Sequence, residues 1–90
     1  MSILLVTYDL KAPGRNYQPV WDYFKQYNRC KDLESVYLIE TDKLPATVRD
    51  ELGKLIDAND KIFIVKLARS WAARRFGCGD WLNEPARKWG

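Results

Sequence analysis

The spacing of apolar residues switches between two periods along the chain, and that switch constrains the fold more than any single motif. Residues 3–8, Ile-Leu-Leu-Val-Thr-Tyr, form a nearly continuous apolar run, as expected of a central strand buried on both faces. The run stops at Asp9, and Ala12-Pro13-Gly14 marks a loop or turn. From Tyr17 the spacing becomes helical: Tyr17, Val20, Trp21, Phe24 and then Tyr27 or Asn28 share one stripe. Asn16 is the expected N-cap, and Pro19 falls in the first turn, where its missing N–H costs little. Residues 34–41 read as a second strand; residues 30–33 either extend it or form a short separate strand. Pro45 opens a second helix over 45–57, with Val48, Leu52, Leu55 and Ile56 as its buried stripe. Gly53 weakens that helix by about 1 kcal/mol relative to alanine. After a turn at Ala58-Asn59-Asp60, residues 61–67 form a third strand with Ile62, Phe63, Ile64 and Val65 as its apolar middle.

The resulting order, β-α-β-α-β followed by a tail, predicts an α+β domain with helices packed on a sheet. With 90 residues the chain is too short for two cores, so residues 1–67 form the core and 68–90 a tail that packs on it or on a partner subunit. Within the tail, residues 70–76 are expected to be helical with Gly77 as the stop, and Asp80 to cap a last turn through Trp81 and Leu82. The short apolar run at 3–6 cannot span a membrane, and charged Asp9 and Lys11 interrupt any signal-peptide pattern, so the expected compartment is the cytoplasm. Cys30 and Cys78, far apart and without metal-ligand spacing, are then expected to be reduced.

The chain has no histidine, which excludes Ser–His–Asp and Cys–His nucleophiles and imidazole zinc sites. Neither a zinc site nor a nucleotide cofactor is expected, and catalysis would rest on carboxylates with a divalent metal, or on Lys and Tyr. Charge is placed unevenly. Residues 1–67 hold ten Lys/Arg and ten Asp/Glu, so the net +3 lies wholly in the tail, where Arg69, Arg74, Arg75, Arg87 and Lys88 face only Asp80 and Glu84.

Asp9 stands just past a central strand, where open α/β sheets commonly bind ligands, and a carboxylate there is a candidate Mg²⁺ ligand. Two copies of Asp9 brought together by a dimer would make a better metal site; alternatively Asp9 caps a turn or pairs with Arg15. Lys11 and Arg15, beside the Pro13-Gly14 turn, form a basic loop suited to phosphate contact or simply solvated. In the tail, Arg74 and Arg75 are candidate phosphate contacts among Trp71, Trp81 and Trp89. The tryptophans either cover an open sheet face or fill a dimer or partner interface. Glu34, Glu40 and Asp42 flank the second strand, and Glu40 and Asp42 approach Asp9 only if the strand ends are adjacent. Ser35 lacks an activating base.

Taken together, VTYDL at residues 6–10 and ESVYLIE at 34–40 resemble the CRISPR-associated protein 2 family, and the related virulence-associated protein D group shares the plan. The following helix and NDKIFIVKL at 59–67 also resemble that pattern, so the likeness covers residues 3–67. Tyr8 and Asp9 match the first motif; Ser35, Val36 and Tyr37 match the second. The resemblance implies a ferredoxin-like α/β sandwich, a homodimer and an association with nucleic acid. It further implies either a Mg²⁺-dependent endonuclease or endoribonuclease with Asp9 as metal ligand and catalytic residue, or a non-catalytic bridge. The residues beyond 71 depart from the family's final crossing strand, which suggests a divergent member carried by a phage or mobile element. The alternative expectation is therefore an interaction or regulatory module that keeps the fold without nuclease chemistry.

Overall fold

The computed structural model describes residues 1–12 and 14–90, so Pro13 of the expected turn lies outside the described residues. Among the described residues the elements are β1 (Ser2–Asp9), α1 (Gln18–Lys25), β2 (Asn28–Cys30), β3 (Val36–Thr41), α2 (Pro45–Gly53), β4 (Lys61–Lys66) and α3 (Gly79–Leu82). Four strands form one sheet in the order β2-β3-β1-β4, and every neighbouring pair is antiparallel. It follows that β1 and β2 run the same way with β3 between them. Likewise β3 and β4 run the same way with β1 between them. The sheet is thus a small antiparallel α+β architecture with β2 and β4 at its edges.

Alternation along the strands divides the sheet into two faces. Leu4 and Val6 of β1 and Ile39 of β3 turn towards α1 and α2, where they pack with Val20, Phe24, Val48 and Leu52. Both helices therefore cover one face. Phe24 stacks on Tyr37 with ring centroids 3.9 Å apart, and Tyr8 packs against Trp21 and Phe24. The other face carries Ile3 and Leu38, which meet Cys78, Leu82 and Trp89 from the tail.

Several boundaries differ from those read in the sequence. β1 runs one residue further and includes Asp9, which pairs in register with Lys61. Helix α1 ends at Lys25, because Asn28 already belongs to β2 and the chain must turn between them. The separate short strand exists, but at Asn28–Cys30; residues 33–35 form the turn that leads into β3. Asn16 contributes at the start of α1 by accepting a hydrogen bond from the Gln18 N–H at 3.0 Å, although Tyr17 occupies the capping position. Helix α2 stops at Gly53, leaving Leu55 and Ile56 to pack against the core from the turn beyond.

The largest difference lies in the tail. Residues 70–76 are not helical but form an irregular strap across the second sheet face. Helical spacing would place Arg74 and Arg75 on the same stripe as Trp71, driving charge into the face that Trp71 buries. Arg75 instead takes a left-handed backbone conformation, φ 56°, which ends any helical path. The strap is fixed at its far end, where the Gly77 N–H donates to Asp32 at 2.8 Å. Beside it Cys30 and Cys78 are joined in a disulfide, with Cα atoms 5.9 Å apart. The expected reduced thiols are therefore corrected: β2 and the start of α3 come together only in the folded chain, which a separation of 48 residues does not reveal. Disulfides persist mainly in oxidising compartments, so the cysteines no longer support a cytoplasmic assignment. No helix among the described residues is long and apolar enough to cross a membrane.

Candidate nucleic-acid interface

The strap covers only part of the second sheet face. Where β1 ends and β4 begins, Thr7, Asp9, Lys61 and Phe63 lie on that face without a layer above them. Register sets Thr7 opposite Phe63 and Asp9 opposite Lys61. Phe63 is 64% exposed and Val65 40%, while their neighbours Ile62 and Ile64 pack towards the helices. A depression of about 180 Å³ lies here, lined by Thr7, Asp9, Lys61 and Phe63 among others. Lys61 takes part in no ion pair among the described residues, whereas the other cations of this corner are paired.

Those pairings place the sequence candidates. Asp9 is exposed, and its carboxylate lies 3.3 Å from the Lys11 ammonium rather than near Arg15. Arg15 instead reaches Asp57 at 3.8 Å and lies 6.0 Å from the Tyr17 ring. The loop before α1 is tied down by Asp60, whose carboxylate accepts from the Lys11 N–H at 2.7 Å, the Asp57 N–H at 2.8 Å and the Tyr17 hydroxyl at 2.8 Å. Partial burial alone would raise the Asp60 pKa, but these three donors outweigh it and hold the carboxyl below its ordinary value. Tyr8, the partner of Asp9 in the sequence motif, is half-buried on the helix face. Burial, with Tyr37 close by, raises its phenol to about 12, so it stays protonated and acts in packing.

Among the described residues no three His, Cys, Asp or Glu side chains converge as metal ligands. Glu40 and Asp42, expected to approach Asp9 only if strand ends met, lie at the other end of the sheet. Glu40 pairs in register with Ile3, six residues before Asp9, which is about 20 Å along a strand. Glu40 is also engaged by Arg87 at 2.9 Å, and Asp42 lies 3.6 Å from the amino terminus. Glu34 and Ser35 are exposed in the turn before β3, and the Ser35 carbonyl accepts from the Tyr8 N–H at 3.2 Å.

In the tail, much of the mixed Arg/Trp pattern is satisfied internally. The Arg87 guanidinium lies 3.8 Å from the Trp81 ring centroid and bonds Glu40 and Glu84, each at 2.9 Å. Arg69 lies 4.2 Å from the Trp89 ring centroid and bonds the Trp89 carbonyl at 2.8 Å. Trp89 is 7% exposed, and its indole N–H donates to the Leu82 carbonyl at 3.1 Å. As a buried core residue it offers no face to a partner, so the packing alternative describes it. Trp71 and Trp81 are half-buried against the same cluster. Arg74 and Arg75 stand exposed on the strap and line a cavity to which Asp9 does not contribute.

Phe63 and Lys61 were not among the sequence candidates. The stretch Ile62-Phe63-Ile64-Val65 reads in the sequence as the apolar middle of a strand, yet that strand lies at the sheet edge and Phe63 and Val65 are exposed. Its lysines at both ends were the available signal, since edge strands are commonly guarded by lysine. No protein-family model matches this chain, and no solved structure matches it.

Proposed function

We propose that this protein is a ferredoxin-like module that binds single-stranded nucleic acid on the open part of its sheet, without nuclease chemistry in the single chain. The observation that carries this reading is Phe63, exposed on a sheet face beside Lys61, which joins no ion pair among the described residues. A flat aromatic ring on a β-sheet is a stacking platform for an unpaired base, and a neighbouring ammonium neutralises the adjoining phosphate. The ferredoxin-like assignment rests on the element order β-α-β-β-α-β with strand order β2-β3-β1-β4. Kinship with the CRISPR-associated protein 2 family belongs to the same proposal, in its fold and its nucleic-acid association. Homodimerisation remains a further element of it.

Lys11 and Arg15 are occupied by Asp9 and Asp57, so they contribute less to phosphate binding than their number suggests. The salt dependence should accordingly be shallow, with a logarithmic slope of about −1 set by one or two phosphates. Anisotropy titrations of labelled single-stranded DNA and RNA test the reading. Phe63→Ala should weaken binding by about tenfold, as expected for one lost stacking contact. Absence of binding at low salt, or equal affinity of the variant, sinks the proposal. Incubation with Mg²⁺ provides a separate arm. Cleavage by the wild type that disappears in Asp9→Asn would restore the nuclease reading and require two Asp9 carboxylates from a dimer.

A further inference from the structure

Between the second sheet face and the strap lies a cavity of about 330 Å³, at the lower end of the range for small-molecule sites. Its floor is Leu5, Val36 and Leu38 of the sheet, and its roof includes Trp71 and Phe76 of the strap. The rim carries Arg74 and Arg75. We propose that this cavity binds a free single-chain aliphatic carboxylate, the chain lying on the sheet and the carboxylate meeting Arg74 and Arg75.

Three observations support this ligand. First, the lining is aliphatic and aromatic, and apart from the two arginines its one polar side-chain group is the Trp71 indole N–H. A nucleobase placed here would leave most of its polar edge without partners. An alkyl chain loses nothing of that kind. Second, the ion pairs of the chain engage other cations, and neither Arg74 nor Arg75 joins one among the described residues. Both line the same cavity, so an anion at its rim meets positive charge that the described residues do not neutralise by an ion pair. Third, the strap is held in place before any ligand arrives. The disulfide and the Asp32–Gly77 hydrogen bond anchor its far end, and Arg75 keeps a left-handed backbone that non-glycine residues seldom adopt. A preformed roof lowers the ordering cost of binding. The volume suits one chain and not the paired chains of a membrane lipid, which is why a free molecule is assigned.

The test is a calorimetric titration of the oxidised protein with decanoate, decanol and decylamine, each below its aggregation threshold, with amide chemical shifts followed in parallel. Decanoate should bind saturably at one site and shift amides of the floor and strap. Decanol should bind at least tenfold more weakly, and decylamine not saturably. Arg74→Ala combined with Arg75→Ala should weaken decanoate at least tenfold and leave decanol unchanged, with the amide spectrum reporting an intact fold. Val36→Trp, which fills the floor, should abolish binding of both. No saturable decanoate binding, equal binding of the three probes, or shifts centred elsewhere would overturn the proposal. So would sedimentation with phosphatidylglycerol vesicles that the double arginine variant loses, because it would transfer the arginines to a lipid surface. Phe63→Ala should leave decanoate affinity unchanged, so this proposal and the nucleic-acid reading fail separately.

Discussion

The two faces of the sheet are built by different means. The helix face is closed by a continuous apolar cluster in which Leu4, Val6, Phe24, Ile39 and Val48 are all fully buried. Its security comes from area removed from water and from aromatic packing around Tyr8, Phe24 and Tyr37. The tail face has less regular structure above it and relies on discrete fasteners: a disulfide, the Arg87–Glu40 ion pair, and guanidinium groups over Trp81 and Trp89. One face is welded and the other is pinned. Pinning leaves room for an uncovered strand end and for a cavity beneath the strap, and both candidate sites lie on the pinned side.

The contrast can be broken by substitution. Phe24→Ala, which empties the centre of the helix face, should cost about 3–5 kcal/mol and unfold the chain as a whole. A lowered denaturant midpoint with an unchanged slope would agree with that; a loss of less than about 1 kcal/mol would show the helix face to be less central than its burial implies. Removing the disulfide with Cys30→Ala and Cys78→Ala should cost about 3 kcal/mol. Hydrogen exchange sharpens this case, because amides of the strap and α3 should lose protection before those of β1 and β3 do. Uniform loss across both faces would contradict the division drawn above.

The smallest effect concerns the loop at the open strand ends. Asp60 has a lowered pKa in the folded chain, so its contribution is present above the ordinary aspartate value of 3.8 and is lost as pH falls through the lower folded value. Asp60→Asn should therefore give a shallower acid limb in a plot of stability against pH, with little change in shape above neutrality. An acid limb as steep as that of the wild type would locate the titration elsewhere.

Much of the helix face was legible in the sequence because periodicity reports burial directly. The run at β1 and the stripe Val20, Trp21, Phe24 needed no knowledge of the rest of the chain. The tail was not legible for the opposite reason. Residues 70–76 read as a short helix, yet their path is set by Asp32, Cys30 and the sheet they cross. Similarly, the tail's mixture of arginines and tryptophans does not reveal that Arg87 covers Trp81 within the same chain. Asp9, read as standing just past the first strand, is its last residue, and its pairing with Lys11 depends on how the loop turns back. Phe63 was missed because composition alone does not separate an edge strand from a central one.

The cluster that joins Ile3 and Leu38 to Leu82 and Trp89 also sets an order of events during synthesis. Ile3 is made well before its partners in α3 and beyond, which follow the whole of the four-stranded sheet. A nascent chain can therefore complete its helix side while the opposite side still presents bare Ile3, Leu5 and Leu38. During that interval the newborn domain is a sticky half-sandwich. How quickly residues 78–89 leave the ribosome, and how soon a disulfide can form, then govern its yield as much as the stability of the finished fold does.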